Sequence, residues 1–305
     1  MISFLDFLRD LTNPDLAFLA RALYVSTVAA MCCGIVGSYV VLRGMAFIGD
    51  AIAHAVFPGL AVAFVIGGNL VIGGLVAGVV TAILVAALSQ LRRLREDTII
   101  GVLFVAAFAL GIVVMSFAPG YAGSLQEFLF GSLTGIPVSD LYAVTGAALL
   151  VLLVLFLLHK ELVAVTLDRV MARSLGLPVF TLDLVLYVLV AVSVVISIQT
   201  IGNILVLALL VTPAATARLL TDRLPVMLTL APIIGAGSAF FGMYFSWALD
   251  VPVGGTIVLL LTVLFLVAWL AAPKHGALAK LRRRRRRALP VAARGEQTPI
   301  AVARS

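Results

Sequence analysis

Nine long apolar runs constrain what this 305-residue chain can fold into. A run of about 20 apolar residues spans the hydrocarbon core of a bilayer as a helix, and backbone groups in lipid must bond within their own segment. None of the runs shows the alternation of a membrane β-barrel strand. The runs fall at residues 17–42, 46–67, 70–91, 98–117, 140–159, 179–199, 204–221, 224–247 and 254–272.

The composition agrees with that interpretation. Hydrophobic residues make up 63% of the chain and charged residues 11%, whereas a soluble domain has about 45–50% apolar and about 25% charged residues. The sequence therefore predicts an all-α polytopic membrane protein with eight or nine transmembrane helices. A merged or re-entrant segment near Gly202, which barely separates the sixth and seventh runs, would change the count by one.

Basic residues indicate the orientation of the helices. Each odd-numbered run ends beside Lys or Arg, whereas the loops at 67–69, 118–139, 200–203 and 248–253 contain neither. Because positive charge collects on the cytoplasmic side, the pattern predicts an N-terminus outside and a C-terminus in the cytoplasm, in a multi-pass protein of a bacterial plasma (inner) membrane.

The chain divides where the last apolar run ends and a basic tail begins. Residues 1–273 are predicted to form the transmembrane permease domain, and residues 274–305 a basic, disordered cytoplasmic tail. The run Arg282–Arg287 directly follows an apolar helix, which favours attraction to anionic lipid over nucleic-acid binding.

In the outer loop, residues 125–133 are expected to form a short helix. This helix could be an outer gate or docking surface, or a plain connector.

The second apolar run contains a pair of ionisable residues. Asp50 and His54 are four residues apart, so they share one helix face. An aspartate inside a membrane helix costs roughly 2.5–3.5 kcal/mol and usually serves a transport pathway. A carboxylate oxygen with an imidazole nitrogen suits Mn²⁺, Fe²⁺ or Zn²⁺. Pro58 leaves the His54 carbonyl without a helix partner, so a third oxygen could face the same cavity. The alternative is a pair that only neutralises itself.

A second interrupted segment, from Gly202 to Pro213, lies in the other half of the chain. Broken helices at corresponding positions of two inverted halves often mark a transport site. Gln199, Asn203, Thr212 and Pro213 are therefore candidates for lining the pathway. Interhelical hydrogen bonding and small-residue packing would explain the same residues.

A short helix is also predicted in the loop between the fifth and sixth runs. Asp168, Ala172 and Gly176 recur every four residues, with Asp168 placed to cap the helix and Gly176-Leu-Pro178 placed to end it. A short amphipathic helix facing the cytoplasm could dock on a soluble partner, or could be an ordinary interfacial helix.

Together these segments resemble the ABC-3 family of metal ABC transporter permeases over most of residues 16–275. The likeness is carried by Gly-Asp-x-x-x-His-x-x-x-Pro-Gly at 49–59, Asp-x-x-x-Ala-x-x-x-Gly at 168–176, Leu-Leu-Val-Thr-Pro-Ala-Ala-Thr-Ala at 209–217 and Ala-Pro-Lys-His-Gly at 272–276. The polyarginine run and the tail at 288–305 lie outside the family pattern.

The resemblance implies an ABC importer permease of the metal/vitamin B12-type architecture, a homodimer with a pathway at its axis. It implies two partners, cytoplasmic ATPase subunits and an extracytoplasmic metal-binding protein. It places the metal site at Asp50 and His54 and the ATPase-coupling helix at Asp168, Ala172 and Gly176. The chain contains no Walker A pattern, so it is expected not to be an enzyme and to rely on a partner for ATP hydrolysis.

The transported metal is less constrained. The segments Ala-His-Ala-Val-Phe-Pro-Gly and Ala-Pro-Lys-His-Gly resemble the manganese and iron branch of the family. Mn²⁺ is therefore favoured as the transported metal, with Zn²⁺ or Fe²⁺ next, and no permanently bound cofactor is expected.

Cys32 and Cys33 lie in an apolar run and are interpreted as small apolar helix residues.

Two alternatives come from other classes of protein. One is a proton-coupled secondary metal carrier, which would work without an ATPase. The other is a membrane-embedded metalloenzyme, which would need about three protein ligands. The chain has three histidines, two of them, His159 and His275, at helix ends, and no His-Glu-x-x-His pattern.

Overall fold

The computed structural model describes residues 3–45, 47–89, 96–117 and 136–272, except for the side chains at 96, 97, 199, 200, 203 and 204. The predicted outer segment at 125–133 and the basic tail at 274–305 therefore lie outside the described residues. Within these ranges the chain is almost entirely helical. The helices are α1 (Phe4–Thr12), α2 (Ala17–Leu42), α3 (Phe47–Ala55), α4 (Phe57–Val65), α5 (Leu70–Leu88), α6 (Glu96–Met115), α7 (Val138–Leu157), α8 (His159–Leu167), α9 (Arg169–Ser174), α10 (Val179–Ile201), α11 (Asn203–Leu220), α12 (Leu224–Leu249) and α13 (Val253–Ala271).

Eight segments of the described chain are long and apolar enough to cross a membrane. A further apolar helix, Leu205–Leu220, is shorter. The all-α membrane architecture with eight or nine spans is confirmed. The structure also shows that the second predicted span, Phe47–Val65, is irregular at Val56, where α3 ends and α4 begins.

Helices α10 and α11 are separated by a single residue. Gly202 has a φ of 80°, a backbone conformation that glycine adopts without the steric cost a Cβ would bring. The sequence placed the weakest boundary here, and the structure shows a sharp break between two consecutive helices.

The long helix α2 lies at the centre of the bundle and packs against α7, α10, α11 and α12. Small residues allow this close approach, as is common between membrane helices. A Cβ on Gly37 would overlap the carbonyl oxygen of Leu210 on α11, and one on Gly34 would lie 3.0 Å from the backbone of Ala231 on α12. Cys32 and Cys33 are free thiols buried in this core, as their apolar setting predicted.

A second close contact joins α4 to α5. A Cβ on Gly59 would overlap the carbonyl oxygen of Gly73, and a Cβ on Gly73 would overlap that of Gly59. The two glycines therefore let two backbones meet directly. This contact fixes the helix that follows the interrupted segment.

The first helix, α1, was not anticipated from the apolar runs. It is short and amphipathic, and Phe7 on its inner face is fully buried. The rings of Phe4 and Phe7 meet those of Phe240 and Tyr244 on α12 edge to face. The indole N–H of Trp247 donates a hydrogen bond of 2.9 Å to Asp10. A short helix is marginal alone, so these contacts with α12 explain why α1 forms.

Candidate metal-transport site

Two backbone interruptions isolate α3 as a nine-residue helix. Before it, α2 ends in a turn in which Gly44 has a φ of 72°. After it, Val56 keeps helical dihedral angles, but the hydrogen bonding becomes irregular, because the amides of Gly59 and Leu60 both donate to the Val56 carbonyl at 3.1 and 3.2 Å. Pro58, at the start of α4, cannot donate an amide hydrogen bond, which accounts for the second break. The interruption expected from Pro58 is therefore present.

Asp50 and His54 meet on one face of α3. The Nδ1 atom of His54 lies 3.2 Å from Oδ1 of Asp50 and 3.0 Å from the Asp50 carbonyl oxygen. An Nδ1 proton donated to Asp50 places the lone pair of the ring on Nε2, and such an orienting bond is typical of metal-binding histidines. The structure thus brings together the two side chains that the spacing placed on one face.

The pair lies partly at the surface of the single chain, although its helix is apolar. The Asp50 side chain is 42% exposed and the His54 side chain 19% exposed. An ionisable group inside a membrane span usually faces a protein interior or a water-filled cavity. This exposure indicates that the face of α3 bearing Asp50 meets water or another protein chain rather than lipid.

Two phenylalanines of α6 hold the imidazole of His54 in place. The ring centroid of His54 lies 4.8 Å from that of Phe104 and 5.2 Å from that of Phe108, both edge to face. Phe57 packs on Phe108 with 5.7 Å between ring centroids. Sequence reasoning missed these residues, although the four-residue spacing of Phe104 and Phe108 indicates a shared helix face.

In the described parts of the chain, His, Cys, Asp and Glu form no group of three or more that could hold a metal ion. Asp50 and His54 therefore give two side-chain ligands per chain. Mn²⁺, Fe²⁺ and Zn²⁺ take four to six ligands, so backbone oxygens, water or another chain must complete their coordination. An incomplete set suits an ion that binds and leaves, which is what transport requires.

The second interrupted segment lies beside the first. Gly49 of α3 sits against the side chain of Leu210 on α11, so closely that a Cβ on Gly49 would overlap it. Pro213 is buried within α11 and Thr212 is half-buried. Gln199 and Asn203 fall at the break around Gly202, where their side chains lie outside the described part of the structure. Lining of a pathway by these four residues remains a prediction.

The predicted surface helix is present as α9. One oxygen of Asp168 accepts hydrogen bonds from the amides of Val170 and Met171, at 2.8 and 3.0 Å, and so caps the helix. Ala172 is buried against the bundle, and Gly176, with a φ of 77°, follows the end of the helix. The cap and the stop lie where the sequence predicted them, whereas docking on an ATPase remains a prediction.

A buried ion-pair network that the sequence analysis missed joins α9 to the start of the interrupted segment. Asp183 on α10 is 4% exposed. Its Oδ1 lies 2.5 Å from Nη1 of Arg43, and its Oδ2 lies 3.6 Å from Nη2 of Arg169. The sequence did contain an indication of this network, because Asp183 is the one charged residue in the apolar run 179–199.

Eight long apolar segments, one of them an interrupted helix that carries an ionisable pair, define a membrane permease. The model of the ABC 3 transport family matches residues 15–272, and the chain belongs to that family. It is thus the permease subunit of an ABC transporter, as the sequence motifs led us to expect.

Named relatives cover most of the chain. It is 43% identical over 270 residues to the manganese transport system membrane protein MntC of Halalkalibacterium halodurans, covering 88% of this chain and 92% of the relative. It is 39% identical over 262 residues to the chelated iron transport system membrane protein YfeC of Yersinia pestis, covering 86% and 89%.

A solved structure has the same fold. PsaBC from Streptococcus pneumoniae in complex with Fab superimposes with a TM-score of 0.81 at 33% identity, covering 92% of this chain and all of that chain. An inward-facing metal-chelate type ABC transporter superimposes with a TM-score of 0.65 at 21% identity and covers 80% and 84%, which supports the fold alone.

Proposed function

We propose that this chain is the membrane-spanning subunit of an ATP-driven importer of a divalent transition metal, with Mn²⁺ as the main substrate. The observation that carries the proposal is the Asp50–His54 pair on the interrupted helix α3. It offers one carboxylate oxygen and one imidazole nitrogen to a passing ion, a set that suits Mn²⁺, Fe²⁺ and Zn²⁺.

The relatives favour manganese among these three ions. The more similar of the two relatives described above, MntC, is named for manganese transport, and YfeC is named for the transport of chelated iron. Because a mixed oxygen and nitrogen site discriminates weakly among the three metals, we expect selectivity to depend mainly on the protein that delivers the ion.

The energy for transport would come from partner subunits. The chain has no Walker A sequence, so we propose that cytoplasmic ABC ATPases bind at α9 and that an extracytoplasmic metal-binding protein delivers the ion. In this arrangement the N-terminus lies outside and the C-terminus in the cytoplasm, in agreement with the distribution of Lys and Arg.

We further propose that two copies of the chain form the transporter. The exposed carboxylate of Asp50 then faces a shared axis instead of lipid. Two copies together supply two carboxylates and two imidazoles, which is enough to coordinate one divalent ion.

Transport would proceed in three steps. The ion leaves the binding protein at the outer mouth, passes transiently through Asp50 and His54, and leaves to the cytoplasm when ATP binding and hydrolysis alternate the access of the site. The site must bind strongly enough to capture the ion and weakly enough to release it.

The test is the metal content of cells that express the whole transporter, measured by elemental mass spectrometry for Mn, Fe and Zn. We expect one metal, manganese, to rise with the wild type and to fall to background in Asp50→Ala and His54→Ala, at equal amounts in the membrane. Asp140→Ala, at the start of α7, removes a carboxylate elsewhere and should transport normally. Unchanged accumulation in both site variants would contradict the proposal.

The same cells separate the two rival functions. A proton-coupled carrier would continue to accumulate metal when the partner ATPase is inactivated, whereas an ABC importer would stop. A metalloenzyme would need a fuller ligand set than the described residues of one chain provide, and its variants would not change metal accumulation.

A further inference from the structure

Asp183 is a buried carboxylate that lies between arginines from two different segments of the chain. Arg43 follows the last residue of α2, and its side chain is 3% exposed. Arg169 is the first residue of α9, and its side chain is 37% exposed. Each arginine meets a different oxygen of the carboxylate, at 2.5 Å for Arg43 and 3.6 Å for Arg169.

The Arg43 side of this network is attached to the turn that leads into α3. Arg43 donates from Nε to the hydroxyl of Thr166 at 3.1 Å. Two residues on, Met45 is buried, and the hydroxyl of Tyr187 approaches its sulfur at 3.8 Å. Asp183 and Tyr187 are one helical turn apart on α10, so this helix holds the turn at 43–45 at two points.

The two ion pairs of this network, Arg43–Asp183 and Arg169–Asp183, differ in strength. Removing one partner of a buried ion pair is strongly destabilising, so the Arg43–Asp183 pair keeps α10 and the 43–45 turn together. The Arg169–Asp183 pair is longer and partly exposed to water, which weakens an ion pair. It is therefore the contact that can open and close when α9 moves.

The short helix α3 is suited to transmit such a movement. It carries Asp50 and His54, follows the turn at Gly44 and meets an irregular, proline-containing turn at its other end, so a change in the turn at 43–45 reaches it directly. Coupling between distant sites requires an element with two arrangements that both sites influence, and a helix between two interruptions can provide one.

We propose that Asp183 couples α9 to the metal site, with Arg169 and Arg43 as positioning residues on either side of it. Movement of α9 changes the Arg169–Asp183 contact, and α10 and Arg43 pass that change to the turn before α3. This inference rests on the proposed function, because it assumes that α9 receives the ATPase and that α3 carries the ion.

The test compares Arg169→Gln with Arg169→Lys in proteoliposomes that contain the complete transporter with its ATPase and metal-binding protein. The measured quantity is the amount of Mn²⁺ transported per ATP hydrolysed, normalised to assembled complex. We expect Arg169→Gln to lower this ratio about tenfold, in the usual range of coupling between sites. Arg169→Lys keeps the charge and should restore most of the ratio.

Arg218→Gln is the matched control. Arg218 is exposed in the last turn of α11, so this variant removes one arginine charge outside both α9 and the network. It should keep the wild-type ratio. A ratio for Arg169→Gln that equals that of the wild type would overturn the inference, as would an Arg169→Lys variant that is as defective as the glutamine variant.

A purely structural role for Arg169 would give a different result. It would reduce the amount of assembled complex and leave the ratio of transport to hydrolysis unchanged, which also overturns the inference. Failure of the proposed function is separate, because the wild type would then transport no Mn²⁺, or Asp50→Ala would transport as well as the wild type.

Discussion

The ring of Phe104 meets the imidazole of His54 edge to face, with 4.8 Å between the ring centroids. Phe104 belongs to α6 and His54 to α3, so the orientation of a candidate metal ligand depends on a neighbouring helix. Within α3, the carbonyl and the side chain of Asp50 restrain the ring at Nδ1, and the aromatic contacts from α6 add a restraint that α3 does not supply. Metal affinity should therefore respond to substitutions in α6 that touch no metal.

We expect Phe104→Ala to weaken Mn²⁺ binding by the purified transporter roughly fivefold, since an aromatic pair contributes about 0.5–1.5 kcal/mol beyond its buried area. Binding of radioactive manganese measures the dissociation constant. Val105→Ala, at a position 61% exposed on the same helix, is the control and should bind normally. Equal affinity for the wild type and a Phe104→Ala, Phe108→Ala double variant would show that the aromatic contacts do not orient His54.

The cap of α9 gives a second prediction. Asp168→Ala removes the oxygen that accepts from the amides of Val170 and Met171, at a cost of about 1 kcal/mol to the helix. We expect roughly fivefold lower metal uptake at equal membrane expression, because a frayed α9 would receive the ATPase poorly. Asp168→Ser restores a capping oxygen without the charge and should recover uptake. If the serine variant takes up as little metal as the alanine variant, the effect comes from the charge of Asp168 and not from the helix cap.

The contact between α4 and α5 predicts a stability effect. Gly59→Ala places a methyl group on the carbonyl oxygen of Gly73, and overpacking of this kind costs about 1–3 kcal/mol. We expect the Tm of the detergent-purified protein to fall by roughly 5 °C. Gly146→Ala on α7, where a Cβ would meet no atom within 4 Å, should leave the Tm unchanged. A Tm for Gly59→Ala equal to that of this control would contradict the contact.

The attachment of α1 to α12 can be tested by a double-mutant cycle. Asp10→Ala and Trp247→Phe each remove one partner of the 2.9 Å hydrogen bond, and a hydrogen bond to a charged group contributes about 1.5–3 kcal/mol. We expect each variant to make α1 more sensitive to limited proteolysis. The double variant should be no more sensitive than either single one, because contacting residues are not additive.

Asp15→Ala is the control for that cycle. Asp15 is exposed beyond the end of α1 and carries the same charge as Asp10, so its loss should leave the rate of cleavage at α1 unchanged. Fully additive effects of the Asp10 and Trp247 variants would show that the two side chains act independently.

Local patterns predicted much of this structure. Apolar runs determine spans because lipid permits few alternatives to a helix, and the eight long helices follow them. The four-residue spacing of Asp50 and His54 indicated a shared face, and the structure places the side chains within 3.2 Å. Asp168 was assigned as a cap from the same kind of local rule, and its hydrogen bonds bear this out.

Features that depend on distant residues could not be predicted in this way. Arg43 and Asp183 are 140 positions apart, and no local spacing indicates which of several arginines an internal aspartate will meet. The helix α1 is another example, since it has a local capping box between Ser3 and Asp6 but packs against rings of the distant α12. The break at Val56 is intermediate, because Pro58 predicts an interruption without giving the separate helices on either side.

The two buried thiols described at the centre of α2 have a practical consequence for labelling experiments. Cys32 is 4% exposed and Cys33 0% exposed, and thiol reagents need an accessible thiolate. These are the only two cysteines in the chain. A single cysteine introduced on an exposed loop or helix end would therefore be the reactive thiol of this subunit, so spectroscopic probes could report its movements without first replacing the native cysteines.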